Sequence, residues 1–274
     1  MISGMKVLIE HDGPVAVITI QRPEARNAVD PETAAQLRAA FADVERDPAL
    51  LVSVLTGAGG HFCAGFDLKV AARAQPPAST PLGGTAQVGP MGPSRLLADT
   101  DEPEPGLTLS KPVIAAIEGY AVAGGLELAL LADLRVASAT AVFGVYCRRW
   151  GVPLIDGGTL RLPRIIGQGR AMDMILTGRA VAAEEALQWG LVNRLVGEGQ
   201  ARSTALELAH EIARFPQRCL RADRASAYAG WSLDIAEALL QEAQRGEPVL
   251  AAESRDGAAR FASGRGRGGG FDDI

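Results

Sequence analysis

The 274-residue chain is 47% hydrophobic and 22% charged, which suits one large globular domain or one domain with an appendage. Its formal net charge of −5 argues against a protein that binds nucleic acid through an overall positive charge. No window has the length and apolarity of a membrane span, and the N-terminus lacks the apolar core of a signal peptide. Three cysteines without CxxC spacing and three scattered histidines predict reduced thiols, a cytoplasmic location and no metal site.

The first fifty-odd residues predict a hairpin, a helix and a buried strand. The β-rich runs Lys6–Glu10 and Val15–Ile20 flank an Asp-Gly pair, which is typical of a β-hairpin. Asp30 is placed to cap a helix over Pro31–Arg46, whose apolar residues recur with helical period. The continuous apolar run Leu50–Leu55 indicates a strand that is buried on both faces.

Residues 71–109 are rich in proline and glycine and include the acidic run DTDEPEP. This composition excludes a long helix before about Ser94. Two interpretations remain open for the segment: a mobile lid over a pocket, or a surface insertion without a role.

The second half of the chain changes character near residue 200. Before it, the pattern predicts short strands and helices, namely strands at Leu134–Ser138, Ala141–Val145 and Leu191–Val196 and helices at Gln168–Leu176 and Ala182–Trp189. After it, the pattern predicts four helices, namely Ala201–Arg214, Pro216–Ala229, Leu233–Arg245 and Pro248–Phe261. We therefore expect a core unit over 1–200 and a helical unit over 201–274 that ends in a disordered Gly/Arg tail. The helical unit must bury its apolar face on the core or on a neighbouring subunit. The tail's Arg-Gly pairs are too few to predict RNA contact.

The most informative stretch is Lys111–Asp133. An apolar run predicts a strand, a glycine turn follows at Gly124-Gly125, and good helix formers begin at Leu126. Such a turn presents unpaired backbone N–H groups at the positive end of a helix macrodipole, and glycine allows close approach to them. Glu127 lies about one turn after Gly124, so an anion-stabilising group stands beside a candidate general base. The alternative is that the glycines serve close helix–strand packing and that Glu127 is a solvated acid.

A second glycine-rich turn, TGAGGHFCAGFDL, follows the predicted strand at Leu50–Leu55. Packing alone would explain one such turn. Two of them, each after a buried strand, favour a site that both turns build together.

These motifs, taken in order, resemble those of the crotonase superfamily of enoyl-CoA hydratase and isomerase proteins. The resemblance rests on RPEARNAV, TGAGGHFCAGFDLK, KPVIAAIEGYAVAGGLELALLADLRVAS, GVPLIDGGTLRLPRIIG and LTGRAVAAEEALQWGLVNRLV, which together cover most of residues 1–200. It implies an α/β fold, a spiral of ββα turns with a helical C-terminal trimerisation region, and a homotrimer or a hexamer built from two trimers. It also implies an acyl-CoA thioester as the ligand, with no separate cofactor because coenzyme A is part of the substrate.

The resemblance also assigns roles to residues. The backbone N–H groups of Phe66 and Gly124 would bind the thioester oxygen, although Ala123 replaces a glycine that many members have. Glu127 matches the first of the two glutamates of a hydratase, whereas Cys147 stands at the position of the second. Asp156 resembles the acid of some non-hydratase members, such as the haloaryl-CoA dehalogenases, so Glu127 and Asp156 are the predicted acid/base pair.

Alternatives remain open for two of these residues. Asp156 also suits a helix N-cap ahead of Gly157-Gly158. Cys147 is either a buried inert thiol or a thiol whose pKa is lowered by Arg148 and Arg149.

A further set of residues matches the substrate-binding region of the family. Arg26 and Lys69 are candidates for phosphate contacts, with solvated surface charges as the alternative. The other predicted substrate-binding residues are Ala64, Gly65, Asp67, Leu68, Gly125 and Cys147.

The sequence thus predicts an acyl-CoA-processing enzyme. The first hypothesis is an enzyme that hydrates a 2-trans-enoyl-CoA. An isomerase or a hydrolase that uses Glu127, Asp156 or both is the second hypothesis. A CoA-thioester-binding protein without catalytic activity is the third, because the second glutamate is missing.

Overall fold

The computed structural model describes residues 4–73, 91 and 109–266. Most of the 71–109 segment and the end of the Gly/Arg tail lie outside the described residues, and so do the predictions made for them. No helix in the described part is long and apolar enough to cross a membrane. The three cysteines form no disulfide.

The described strands form two sheets. The strands are β1 (Val7–Asp12), β2 (Val15–Ile20), β3 (Val52–Gly57), β4 (Val113–Ile117), β5 (Tyr120–Val122), β6 (Leu134–Ser138), β7 (Val142–Gly144), β8 (Val181–Ala182) and β9 (Arg194–Val196). The larger sheet has the order β1-β2-β3-β4-β6-β9 and is parallel except for the β1–β2 hairpin. The smaller sheet has the order β5-β7-β8, with β5 parallel and β8 antiparallel to β7.

Helices follow or cover these strands. They are α1 (Pro31–Arg46), α2 (Leu68–Ala71), α3 (Gly124–Leu131), α4 (Gly158–Ile166), α5 (Gln168–Thr177), α6 (Ala183–Gln188), α7 (Ala201–Ala213), α8 (Gln217–Ala229), α9 (Ile235–Val249) and α10 (Arg255–Ala262). A 3-10 helix over Tyr146–Trp150 precedes α4.

The larger sheet is covered on both faces. Because side chains alternate between the two faces along each strand, both sets are buried in the central strands. On one face, Ile18 of β2 and its neighbours pack in a core that contains Leu37 and Phe41 of α1. On the other face, Val17 and the residues of the adjacent strands that share its face pack against Leu208 of α7. The strands β2 and β4 are buried along their whole length for this reason, which explains their continuous apolar runs.

Several predicted elements agree with the structure to the residue, including β2, α1 and β6. Asp30 caps α1 by accepting a hydrogen bond from Thr33 N at 2.8 Å. The three-residue strand β5 was not predicted, because it is too short to show a period of two.

The predicted helix break before Pro248 is wrong. The helix α9 contains Pro248, and Leu250 N still donates to Gly246 O beyond it. A wider π-helical turn over Leu250–Ser254 then leads directly into α10. Proline removes one N–H donor, and the widened turn accommodates the distortion without ending the helix.

Ala123, at the junction of β5 and α3, has a backbone conformation that normally requires glycine. Its φ is 54° and its ψ is −125°. Its N–H donates to Gly144 O at 2.9 Å, and its carbonyl accepts from Leu126 N at 3.0 Å and Glu127 N at 3.2 Å. These bonds hold the strained residue at the helix start.

We expect Ala123→Gly to raise the unfolding free energy by about 1 kcal/mol, because relief of strain exceeds the added flexibility of the unfolded chain. Thermal unfolding would show a Tm increase of about 2 °C. The control is Ala121→Gly in β5, where φ is not positive, and we expect it to lose stability. A Tm loss in both variants would contradict strain at Ala123.

Candidate active site

The two glycine-rich turns lie side by side and are joined through their backbones. Cys63 N donates to Tyr120 O at 2.8 Å, and Val122 N donates to Cys63 O at 3.1 Å. Cys63 and Ala121 therefore form a short parallel bridge. The segments that carry Phe66 and Gly124 are brought together by this pairing.

Gly65 and Gly125 make this close approach feasible. Gly65 has a φ of 94°, and a Cβ there would lie 2.9 Å from Gly124 N. A Cβ on Gly125 would overlap the carbonyl group of Cys63. These two glycines, predicted to bind substrate, are therefore required for contact between the turns, and neither of them lines the cavity described below.

The N–H groups of Phe66 and Gly124 have no hydrogen-bond acceptor among residues 4–73, 91 and 109–266. Val29 N donates to Gly65 O, and Asp67 N donates to Val29 O, both at 2.8 Å. In this pairing the N–H of Phe66 points away from Val29. Gly124 is the first residue of α3, where N–H groups have no intrahelical partner. Both donors can therefore serve a ligand oxygen.

Both residues line a cavity of about 500 Å³. Eight of the predicted site residues line it, namely Arg26, Ala64, Phe66, Leu68, Gly124, Glu127, Cys147 and Asp156. The remaining lining residues were not predicted, namely Met91, Tyr120, Val122, Ala123, Tyr146, Arg149, Trp150, Val152, Pro153 and Ile155.

Two further predicted binding residues, Asp67 and Lys69, also lie outside this cavity lining. The Asp67 carboxylate accepts from Arg22 Nη2 at 2.9 Å and from Lys69 N at 3.1 Å, so it stabilises the loop and caps α2. The Lys69 side chain is exposed on α2. Arg26 differs from both, because its guanidinium lies 5.2 Å from the centre of the Tyr120 ring at the cavity wall.

Glu127 is buried, with 3% of its surface exposed, so it is not a solvated acid. Its Oε1 accepts from Asp156 N at 2.9 Å and from Gly158 N at 2.8 Å. Burial raises the pKa of Glu127 to about 7, and the nearby charge of Asp156 adds to the rise, while the two N–H groups and Arg161 oppose it. Because this value lies near neutral pH, Glu127 can both accept and donate a proton in solution at pH 7.

Asp156 is also buried, and it does not cap the helix that follows. The N-cap of α4 is Gly157, without a side-chain cap. Asp156 Oδ1 instead accepts from Met91 N at 3.0 Å. Met91 also lies against α3, since a Cβ on Gly124 would approach its Sδ to 2.6 Å. The sequence offers no signal for Met91, which lies far from either glycine turn along the chain.

Cys147 lies in the 3-10 helix and is 7% exposed. Burial raises the pKa of its thiol, and the charge of Glu127 raises it further. Arg148 opposes this rise without overcoming it, and Arg148 Nε donates to Ile175 O at 2.9 Å. Cys147 is therefore a neutral thiol at pH 7, and the interpretation that the arginines activate it is wrong.

Comparisons with known proteins identify the family of the chain. The model of the enoyl-CoA hydratase/isomerase family matches residues 10–89 and 99–266, and the chain belongs to that family. Enoyl-CoA hydratase EchA19 of Mycobacterium tuberculosis is 41% identical over 210 residues, which are 77% of this chain and 75% of that protein. Carnitinyl-CoA dehydratase of Salmonella typhi is 40% identical over 205 residues, 74% of this chain and 73% of that protein.

Solved structures resemble the chain over nearly its whole length. The crystal structure of an enoyl-CoA hydratase from Mycobacterium tuberculosis has a TM-score of 0.83 and 34% identity, and the match covers 94% of this chain and 96% of that one. The predicted family and the crotonase-like α/β fold are thereby confirmed.

The raised pKa of Glu127 predicts a pH-dependent effect of Glu127→Gln on stability. The glutamine keeps an oxygen for the two N–H donors, but it cannot ionise. Above pH 7 the wild-type protein holds a buried carboxylate that the unfolded chain ionises freely, at a cost on the order of 3 kcal/mol. We expect the variant to be more stable than the wild type above pH 7, with the advantage shrinking as the pH falls and vanishing near the ordinary pKa of 4.5.

Thermal unfolding of both proteins across pH 4 to 9 measures this difference. The control is Glu184→Gln, an exposed residue in the first turn of α6, for which we expect no such trend. Parallel pH curves for the wild type and Glu127→Gln would contradict a raised pKa.

Proposed function

We propose that this protein is an enoyl-CoA hydratase that adds water to a 2-trans-enoyl-CoA thioester. The observation that carries the proposal is that one cavity is lined by the buried Glu127 and by Phe66 and Gly124, whose backbone N–H groups have no acceptor in the described part of the chain. The family and the names of the relatives support it. Coenzyme A belongs to the substrate, so the reaction needs no separate cofactor.

The proposed reaction builds negative charge on the thioester oxygen. Glu127, as a carboxylate, takes a proton from water while the water oxygen bonds to Cβ of the alkene. The alkene electrons move through Cα to the thioester oxygen, where the N–H groups of Phe66 and Gly124 stabilise the enolate by roughly 3 kcal/mol each. The neutral Glu127 then returns a proton to Cα, which completes the addition of water. Asp156 lies next to Glu127 and is the second carboxyl group available to the reaction.

The position of Arg26 supports a role in binding coenzyme A. Its guanidinium lies at the cavity wall beside the Tyr120 ring and next to Ala64 and Leu68 in the lining. A guanidinium at this place suits a phosphate group of the nucleotide part. Lys69 does not line the cavity, which favours a lesser role for that residue.

A second candidate is an isomerase that moves a 3-enoyl double bond into conjugation with the thioester. The neutral thiol of Cys147 favours it, because the resemblance places the second glutamate of a typical hydratase at that position. Isomerisation requires only one base, which removes a proton from Cα and returns it to Cγ, together with donors that stabilise the enolate.

Replacement of the base tests both candidates. For Glu127→Gln we expect the turnover of 2-trans-enoyl-CoA to fall by about 10²- to 10⁴-fold. The wild-type rate should rise with pH through about 7, as the Glu127 carboxylate forms. Product formation by mass spectrometry, with thioesters of several chain lengths, measures the rate, and Glu184→Gln serves as the control.

The same proteins are given 3-enoyl-CoA and followed for conjugated product. Hydration that greatly exceeds isomerisation supports the first candidate, and the reverse supports the second. If the wild type turns over neither substrate at any chain length, both are refuted.

We further propose that the chain forms a homotrimer or a pair of trimers through its C-terminal helices. No described residue of α8, α9 or α10 is buried, and α9 exposes Ile235, Leu239 and Leu240. Such apolar exposure is costly unless another surface covers it.

Light scattering should give a mass of three or six times 28.6 kDa. We expect Leu239→Asp to shift the population toward smaller species, because the substitution would place a charge in the contact. A monomeric wild type would rule the proposal out.

A further inference from the structure

Arg161, in the first turns of α4, is buried with 2% of its surface exposed. Its Nη1 donates to Asp156 O at 2.9 Å. That carbonyl lies in the short loop between Asp156 N and Gly158 N, the two donors that hold Glu127 Oε1. One guanidinium thus fixes the loop that fixes the proposed base.

The conformation of Gly157 is fitted to this guanidinium. Gly157 has a φ of 94°, and a Cβ there would overlap Arg161 Nη1 and lie 3.0 Å from Cζ. The guanidinium therefore fills the space that a side chain at 157 would occupy. The loop can approach α4 this closely only because residue 157 is glycine.

Among the described groups whose charge acts on Glu127, Arg161 is the buried cation. The titratable neighbours of Glu127 are Asp156 in the loop, Arg161 in α4 and Cys147 in the 3-10 helix. Asp156 and Glu127 are acids, and Tyr228 of α8 lies within electrostatic range of the Arg161 guanidinium. Arg26 and Arg149 line the cavity as well.

We propose that Arg161 is a positioning residue for Glu127, holding the 156–158 loop in place and keeping a positive charge beside the carboxylate. The proposal rests on the proposed function only in taking Glu127 as the base. The charge of Arg161 lowers the pKa of Glu127 against the effect of burial. Without it, the carboxylate would form at higher pH, and its two N–H partners would lose their fixed positions.

Two substitutions separate charge from shape. For Arg161→Gln we expect kcat to fall about tenfold or more, with KM changed by less than about threefold, because the loss affects the base rather than binding. The rising limb of the kcat–pH profile should move upward by about one pH unit. Arg161→Lys keeps the charge, so its limb should stay near that of the wild type while kcat is partly reduced by the lost fork geometry.

Arg164→Gln is the matched control on the same helix. Arg164 is exposed, its Nη1 donates to Leu160 O at 2.8 Å, and its guanidinium lies 5.1 Å from the centre of the Trp231 ring. We expect kcat, KM and the pH limb of this variant to match the wild type.

A loss of kcat in Arg161→Gln without movement of the limb would overturn the proposal, because it would show a structural role only. An unchanged profile would overturn it as well. A second measurement does not depend on turnover: the pH above which the stability advantage of Glu127→Gln over its parent stops growing, compared with and without Arg161→Lys or Arg161→Gln. That levelling-off pH follows the folded-state pKa of Glu127, so it should move to higher pH with glutamine and not with lysine.

The proposed function and the role of Arg161 are tested by separate outcomes. Absence of wild-type turnover would refute the proposed function, while the levelling-off pH of the stability difference would still report on Arg161. If Arg161→Gln does not fold, an unshifted limb and an unshifted levelling-off pH with lysine, together with reduced kcat, support the proposal, and a shift with lysine refutes it.

Discussion

The backbone contact between the two glycine-rich turns is the constraint on which the site depends. Cys63 pairs with Tyr120 and Val122 through two hydrogen bonds, and the pairing is feasible only where Gly65 and Gly125 carry no Cβ. A methyl group at either position would separate the turns and pull the N–H groups of Phe66 and Gly124 apart. Two donors at fixed positions stabilise a developing charge without reorganising, which is why rigid packing around them matters for catalysis.

The same packing imposes costs at neighbouring residues. Ala123 adopts a positive φ at the start of α3, and Glu127 is buried one turn later. Both features are unfavourable for folding, and both set the place and the protonation of the groups that face the cavity. Stability is thus lower in the part of the molecule where the proposed chemistry occurs, a pattern common to functional sites. The loop from Asp156 to Gly158 offsets part of the cost by giving Glu127 two hydrogen bonds.

The sequence predicted most of the fold, because each of its strongest patterns is local. The Asp-Gly hairpin, the capped helix α1 and the buried strands depend on residues close together in the chain, and all are present. The two donor positions were also predicted, but only because the ordered motifs resemble a known family. The division into units at residue 200 and the roles of the site residues stay predictions.

What the sequence did not predict depends on contacts between distant segments. Met91 reaches Asp156 from a segment whose composition carries no periodic pattern. In the sequence, Arg161 looks like an ordinary polar residue of a helix. Only the structure shows that its guanidinium contacts the loop at Asp156. The predicted helix break at Pro248 was wrong for a related reason. Local rules do not show that a π-helical turn can follow the proline and continue the helix.

The side chain of Cys147 is neutral and lies near Glu127, the proposed single base. A second glutamate at this position would add a negative charge beside Glu127 and raise its pKa further, because like charges disfavour ionisation. Glu127 already has a pKa of about 7 with Asp156 nearby, and a further rise would leave little carboxylate at neutral pH. A neutral thiol at 147 removes that charge, while Arg161 supplies the opposite one. The substitution that weakens the resemblance to a two-glutamate hydratase is therefore compatible with a site in which Glu127 alone removes and returns the proton.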